Sequence, residues 1–259
     1  MADLARAVGK AGNYALVFAR DAQIPLPTSV RAMNVLFDAH MVGQRETGNE
    51  TYSRELIGQC DALRVEGVRL IAAVRMPVQT SARIVVEPRL GDDLRRLTYI
   101  LPRLASETQA ELVHVTYHGP LRMKTPMVVT IHDVSYRVRP GLQSPRNFVI
   151  QNSLGYLTAR RARLIITVSE FCRSEIARVY PFAANRIEVT YSATQPLDLP
   201  ADAEARLRTM GLGGTRFVLG VGRFHPRKNF VRLARAFLSA TADAPATQLV
   251  LAGDGDNAF

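Results

Sequence analysis

The segment Val221–Asn229 combines a glycine, two arginines and a lysine within nine residues. Arg223 offers a planar fork that suits phosphate oxygens, and Lys228 offers a compact point charge. An apolar run over residues 217–221 precedes the segment, and a helical pattern starts near Asn229. The carboxyl end of a strand beside a helix N-terminus is a place where anions bind in α/β proteins. We therefore expect Arg223 and Lys228 to bind one diphosphate, the alternative being two solvated loop cations.

A second candidate for chemistry is the pair His132 and Asp133, which ends the apolar run that begins at Met127. A histidine at a strand end of an open α/β sheet lies in the ligand crevice, where it can form hydrogen bonds or handle protons. Asp133 is expected to orient the imidazole. A loop histidine bonded to backbone is the alternative, and His114 and His118 are taken as structural.

Glycines near the first predicted strand form a weaker signal. Gly43 and Gly48 flank a turn that opens the first helix, where backbone N–H groups can approach an anion closely. The spacing is not that of a dinucleotide-binding fingerprint, which argues against a dehydrogenase. A serine hydrolase is not indicated, and neither is a zinc site, because Cys60 and Cys172 lie far apart without metal-like spacing.

The chain is strongly basic, with a formal net charge of +10 and a pI near 10.2. Only three of its 33 basic residues are lysines, and the arginines are scattered, so a solvated basic surface is one interpretation. Attraction to phosphorylated or membrane-borne substrates is the other. Nucleic-acid binding is not expected, because basic residues do not alternate with exposed aromatic ones. No apolar run approaches the roughly 20 residues that cross a bilayer, and the N-terminus does not resemble a signal peptide.

Apolar strands alternate with helical patterns along most of the chain, which predicts a parallel, doubly wound α/β sheet. The predicted strands cover residues 34–38, 68–74, 83–86, 112–116, 127–131, 164–168 and 187–190. The predicted helices cover residues 49–63, a segment from Asp92 or Asp93 through Leu104, residues 147–162, and residues 169–180 with Ser169 as the cap.

This alternation predicts two domains. Residues 1–32 are expected to be a poorly ordered extension, and residues 33–191 to form one complete Rossmann-like domain. A linker with a short helix is predicted over 192–215. Residues 216–259 are expected to be the truncated start of a second α/β domain, with strands at 217–221 and 248–252 around a helix at 229–242.

Four segments follow one another along the chain: Asp38 through Thr47–Tyr52 and Glu55-Leu56; Val128–Val134 with Pro140; Arg161–Phe171; and Val221–Asn229 followed by Leu233, Ala236-Phe237 and Leu249–Gly253. Together they span nearly everything from Met33 to Phe259. In this order they resemble the retaining glycosyltransferases of the GT-B fold, specifically glycosyltransferase family 4, and the third and fourth segments carry most of the likeness.

The resemblance implies a cleft enzyme that moves a sugar from a nucleotide-diphospho-sugar to a glycan or lipid-linked acceptor. Arg223 and Lys228 would bind the donor diphosphate without a metal or other cofactor, and Gly48 would let the first loop approach it. His132 would contact the transferred sugar. A cytoplasmic protein is implied, with possible peripheral contact at the inner face of the membrane.

The chain departs from the family pattern in two places. Ser192-Ala193 stands where the family commonly has Asn-Gly, and the E-x7-E segment that engages the donor is expected beyond Phe259. An incomplete transferase is therefore expected. A non-catalytic fragment or binding module and a GT-B sugar-nucleotide epimerase are the alternatives.

Overall fold

The structure, a computed structural model, describes residues 32–44, 47–62, 67–80, 82–138, 144–193, 198–242 and 246–253. The chain divides into two compact units, Met1–Ala193 and Thr194–Phe259, here called unit 1 and unit 2. The division falls inside the predicted linker at 192–215. The predicted extension over residues 1–32 lies outside the described residues except for its last position, so its role stays a prediction.

Unit 1 is built on a seven-stranded sheet in which every neighbouring pair is parallel. The strand order is β3-β2-β1-β4-β5-β6-β7, so the chain leaves β1 in one direction and returns to its other side at β4. This confirms the predicted doubly wound sheet. The strands are β1 Met33–Asp38, β2 Val68–Val74, β3 Arg83–Val86, β4 Leu112–Thr116, β5 Met127–Thr130, β6 Leu164–Thr167 and β7 Ile187–Val189.

Three helices of unit 1 begin where the sequence supplies a side-chain cap. Asp92, Ser144 and Ser169 each accept a hydrogen bond from a backbone N–H in the first turn that follows. The helices are α1 Thr47–Ala62, α2 Asp93–Arg95, α3 Leu101–Glu107, α4 Ser135–Val138, α5 Pro145–Arg161 and α6 Glu170–Val179.

Several short elements were not predicted. A π-helical turn over Arg96–Ile100 joins α2 to α3, and 3-10 turns cover Pro88–Gly91 and Pro181–Arg186. The helix α4 has only four residues, too few to show a helical period.

Two apolar clusters cover the two faces of the sheet. The larger packs α3, α5 and α6 against strand residues such as Leu36, Val113 and Ile165. The smaller contains Phe37, Ile57 and Val74, among others, beneath α1. Because the central strands are largely buried, they are rich in apolar residues, which is why they could be predicted from sequence.

Unit 2 contains α7 Ala203–Thr209, β8 Arg216–Val221, α8 Phe230–Ala240 and β9 Thr247–Ala252. β8 and β9 pair in parallel over six residue pairs, with α8 between them in sequence. Side chains of β8 such as Leu219 and Val221 are more than half exposed, since two strands and one helix cannot enclose a core. Among the described residues, no helix is long and apolar enough to cross a membrane.

Acid should destabilise unit 1 through two carboxylates. Hydrogen bonds from Arg89 and Arg103 hold the pKa of Glu87 at about 2, below its usual 4.5. Burial alone would raise the pKa of Asp38, but His40 and Arg96 outweigh it and hold that pKa far below its usual range. A carboxyl with a lowered folded pKa stabilises the fold above its unfolded pKa and loses that contribution as the pH falls. The free energy of unfolding should therefore be level above about pH 5 and fall below about pH 4.5.

Urea unfolding followed by circular dichroism between pH 7 and pH 2.5 measures this dependence. Glu87→Gln should flatten the acid slope, whereas the exposed Glu188→Gln should leave it unchanged. Equal slopes in the parent and in Glu87→Gln would contradict the assignment to Glu87.

Candidate functional site

A polar crevice lies at the carboxyl ends of β1, β4 and β5 in unit 1. The strand order reverses between β1 and β4, and in open α/β sheets this switch point is where ligands bind. Tyr117, directly after β4, has a φ of +59°, a left-handed conformation that is costly for a residue with a side chain. Such outliers concentrate at functional sites. The crevice is therefore the candidate site of unit 1.

His132 lies in this crevice between two aromatic rings. Its ring centroid is 4.6 Å from that of Tyr52 in an edge-to-face contact and 5.5 Å from that of Tyr117. Its Nε2 atom is buried and has no hydrogen-bond partner among the described residues. Burial lowers the pKa of His132, although the charge of Asp133 acts in the opposite direction. The imidazole is therefore neutral at pH 7, so it can form hydrogen bonds but carries no charge.

Asp133 has a different partner from the one expected. Its Oδ1 atom accepts a hydrogen bond from the backbone N–H of Ser135 at 2.9 Å, at the start of α4. Within the described part of the chain, no hydrogen bond joins its carboxylate to the ring of His132. The roles proposed for both residues stay predictions, and the rings that contact His132 are those of Tyr52 and Tyr117.

A series of hydrogen bonds links Tyr52 to residues of β5 and β4. The hydroxyl of Tyr52 lies 3.0 Å from Oγ1 of Thr130, and Nε2 of His114 lies 2.8 Å from the same oxygen. Burial lowers the pKa of His114 to about 4, so this histidine is neutral and structural, in line with the sequence interpretation. In the sequence, Tyr52 stands only within a segment that resembles the family, without a predicted role in the site.

A buried charge cluster holds the end of β1. Asp38 is fully buried, and its Oδ2 and Oδ1 atoms accept hydrogen bonds from Nη1 of Arg96 at 2.5 Å and from Nδ1 of His40 at 2.9 Å. Arg96 is 3% exposed and also bonds Asp93 at 2.7 Å. No sequence motif indicated this cluster. The sequence showed Asp38 only as a charged residue at a strand end and as the first residue of a segment that resembles the family.

His118 lies beside this cluster, after Tyr117. Burial lowers its pKa to about 4, and the positive charge of Arg96 adds to that effect. Its Nε2 atom is buried and unpartnered within the described residues. The sequence interpretation placed His118 among structural residues; the structure places it at the edge of the crevice.

Gly48 lies in the first turn of α1 and is exposed. A Cβ atom built there would meet no other atom within 4 Å, so the space beside it is open. Part of the turn before α1 lies outside the described residues. The structure thus places Gly48 at a helix start, as expected, and its predicted contact with a diphosphate stays a prediction.

Unit 2 carries the other predicted site residues, on the loop between β8 and α8. Arg223 and Lys228 are both exposed. Gly222 has a φ of +151°, and a Cβ atom built there would lie 3.2 Å from Cε of Lys228. The lysine stem therefore lies directly over the glycine. Asn229, with a φ of +55°, turns the chain into α8, so the loop ends at a helix N-terminus as the sequence predicted.

Gly222→Ala should move the ammonium group of Lys228. Alanine is strained at this φ by about 1–3 kcal/mol, and its methyl group would enter the space of the lysine stem. We expect weaker binding of a nucleoside diphosphate, measured by 31P NMR titration, together with a lower unfolding midpoint of unit 2. Gly211→Ala is the control, since it has a positive φ but no atom within 4 Å. A loss of affinity in both variants would argue against a specific role for the Gly222–Lys228 contact.

Within the described residues, no group of three His, Cys, Asp or Glu side chains could hold a metal ion. Metal-independent donor binding stays a prediction.

Comparison with known proteins identifies the family. The model of Glycosyltransferase Family 4 matches residues 1–195. The O-antigen chain mannosyltransferase B of Escherichia coli is 27% identical over 230 residues, which are 79% of this chain and 60% of that protein. The chain thus spans about three fifths of the length of this curated relative.

Solved structures share the fold. Sucrose-phosphate synthase from Thermosynechococcus elongatus aligns with a TM-score of 0.63 and 18% identity, covering 88% of this chain and 64% of that one. Anabaena HepE, solved with UDP and glucose, gives a TM-score of 0.54 and 16% identity, with 88% and 62% covered. The catalytic domain of Arabidopsis thaliana starch synthase IV, solved with ADP and acarbose, gives 0.55 and 14%, with 87% and 69% covered. The chain belongs to Glycosyltransferase Family 4 and has the GT-B fold.

Proposed function

We propose that this protein is a retaining glycosyltransferase that uses a nucleotide-diphospho-sugar donor. The observation that carries the proposal is the β8–α8 loop, in which the stem of Lys228 lies over Gly222 beside Arg223 in a chain of this family. Departure of a nucleoside diphosphate develops negative charge on the leaving oxygens. Two fixed cations at that position lower the barrier, because stabilisation of developing charge is usually the largest catalytic contribution.

In this proposal unit 2 binds the donor and unit 1 binds the acceptor. Arg223 makes a forked contact with the diphosphate, and Lys228 adds a point charge that Gly222 positions. His132 contacts the transferred sugar as a neutral hydrogen-bonding group, in keeping with its lowered pKa. Asp133 fixes the backbone after His132 through its bond to Ser135, and Gly48 lets the first loop approach the diphosphate.

The sugar and the acceptor are proposed only as chemical classes. The E. coli relative is a mannosyltransferase of the O-antigen chain, which favours a mannosyl or other hexosyl donor and a glycan or lipid-linked acceptor. The same likeness supports a role in polysaccharide biosynthesis. We propose a cytoplasmic location with peripheral contact at the inner face of the membrane.

The test is to incubate the chain with UDP-, GDP- and ADP-sugars, GDP-mannose included, and to measure release of the nucleoside diphosphate by ion-exchange chromatography. Release from one donor class, lost in His132→Ala and kept in the exposed Glu188→Gln, is expected. Absence of release from every donor would overturn the proposal for this chain. Conversion of a UDP-sugar into its epimer without release of UDP would favour the epimerase alternative.

A further inference from the structure

Unit 1 has a small cationic cavity at the edge of the sheet opposite to the crevice. Its volume is about 180 Å³, and it lies where β5 begins, whereas His132 follows the other end of that strand. The lining is polar and contains Lys124, Arg161 and Arg163, together with Pro120, Met123, Thr125, Pro126 and Met127. Among the described residues, no acidic one lines it. We call it the cationic cavity.

The three cations of this cavity have no carboxylate partner among the described residues. Many other arginines of unit 1 do have one: Arg96 pairs with Asp38, and Arg103 pairs with Glu87. An unpaired surface cation is common, but three that line one concave site raise the local positive potential. The cavity therefore favours an anion over a neutral ligand.

Three carbonyl acceptors of the lining are already engaged. The carbonyl of Met123 accepts from Nη2 of Arg161 at 3.0 Å. The carbonyls of Pro126 and Met127 accept from the backbone N–H groups of Val113 and Arg163. The hydroxyl of Thr125, in contrast, has no protein partner within the described residues. The Lys124, Arg161 and Arg163 side chains are hydrogen-bond donors only, which suits an oxyanion.

An alternative explanation for these cations is compensation of the negative end of α5. The structure assigns that role elsewhere, because the guanidinium of Arg186 donates to the carbonyls of Ala162 and Ala159. Arg161 points instead to the loop before β5, and Arg163 and Lys124 lie outside α5. Helix capping thus does not account for the cluster.

We propose that the cationic cavity binds a phosphate group, carried either by a free phosphate or by the headgroup of an anionic lipid. The volume supports a group of this size, since pockets for drug-sized ligands measure about 300–1,000 Å³. Arg161 and Arg163 supply the forked contacts and Lys124 a point charge. This site is independent of the donor site on the β8–α8 loop.

The first experiment is a titration of the 15N-labelled chain with inorganic phosphate at constant ionic strength. We expect saturable shifts of the Lys124 and Thr125 amides, with an affinity at least about tenfold weaker in Lys124→Gln/Arg163→Gln, since one charged hydrogen bond contributes about 1.5–3 kcal/mol. Arg83→Gln/Arg69→Gln is the control, because it removes the same charge outside the cavity. Equal weakening in both double variants would show that the effect comes from net positive charge alone, and the proposed site would be wrong. Arg223→Gln/Lys228→Met should leave these shifts unchanged, so failure of the donor proposal does not affect this outcome.

The second experiment separates the two sources of the phosphate. The chain is sedimented with vesicles of phosphatidylglycerol and phosphatidylcholine or of phosphatidylcholine alone. Sedimentation with the anionic vesicles that falls in Lys124→Gln/Arg163→Gln but not in the control variant assigns the cavity to a lipid headgroup. Phosphate binding without such sedimentation assigns it to a free phosphate. If the cavity variant keeps both phosphate binding and vesicle binding, the proposal is wrong.

Discussion

Arg96→Met should lower the free energy of unfolding of unit 1 by about 3–5 kcal/mol at pH 7, the range typical of removing one partner of a buried ion pair. Arg96 is 3% exposed and bonds the fully buried Asp38, so the variant leaves a buried carboxylate with His40 as its remaining partner. Methionine keeps the apolar volume of the stem and so limits the cavity contribution. Urea unfolding followed by circular dichroism measures the change.

Arg95→Met is the matched control for this prediction. Arg95 is the preceding residue, its side chain is 68% exposed, and it pairs with Asp92 at the surface. A surface pair of this kind contributes about 0–1 kcal/mol. The penalty of Arg96→Met should shrink below about pH 4, because the parent has a lowered Asp38 pKa and loses that stabilising contribution as the pH falls below the unfolded pKa of an aspartate. Equal losses of unfolding free energy in the two variants, or a penalty independent of pH, would contradict the role assigned to the Asp38–Arg96 pair.

Arg223→Gln and Lys228→Met should each weaken binding of a nucleoside diphosphate by about 10- to 100-fold. The reason is that each removes a charged contact to phosphate, which contributes about 1.5–3 kcal/mol. Methionine retains the stem over Gly222, so the loop conformation is preserved. The double variant should lose at least as much as either single one, without strict additivity, since both side chains are proposed to bind one ligand.

The control for the donor prediction is Arg216→Gln, which removes a charge at the opposite end of β8. It should change the affinity less than twofold at 0.15 M salt, because exposed charges farther apart than about 8 Å are screened there. Calorimetric titration with UDP, GDP and ADP provides the measurement. An unchanged affinity in Arg223→Gln and Lys228→Met would show that the diphosphate binds elsewhere.

The sheet of unit 1 was predictable because its central strands are mostly buried and consist largely of apolar residues. The predicted range 68–74 matches β2, and 112–116 matches β4. Helix starts at Asp92 and Ser169 followed from their capping chemistry. The π-helical turn at Arg96–Ile100 and the four-residue α4 were missed, because neither has enough residues for a period.

The positions of site residues could be predicted only where a residue closely follows a predicted strand. His132 lies in the crevice because β5 ends two residues earlier, and Arg223 lies on the loop because β8 ends at Val221. Contacts between elements were not predictable. Asp38 and Arg96 are 58 residues apart, and Tyr52 and Thr130 are 78 apart, so their contacts depend on helix placement that local patterns do not encode.

We propose that residues 221–229 form the diphosphate site of a sugar-nucleotide enzyme. This proposal is tested most directly by an amide NMR titration of the 15N-labelled chain with GDP, and with guanosine as the reference. We expect saturable shifts at Gly222, Arg223, Lys228 and Asn229 with GDP and much smaller shifts with guanosine. The GDP shifts should be lost in Arg223→Gln/Lys228→Met. Saturable GDP shifts confined to other residues, or the same shifts in the double variant, would contradict the account.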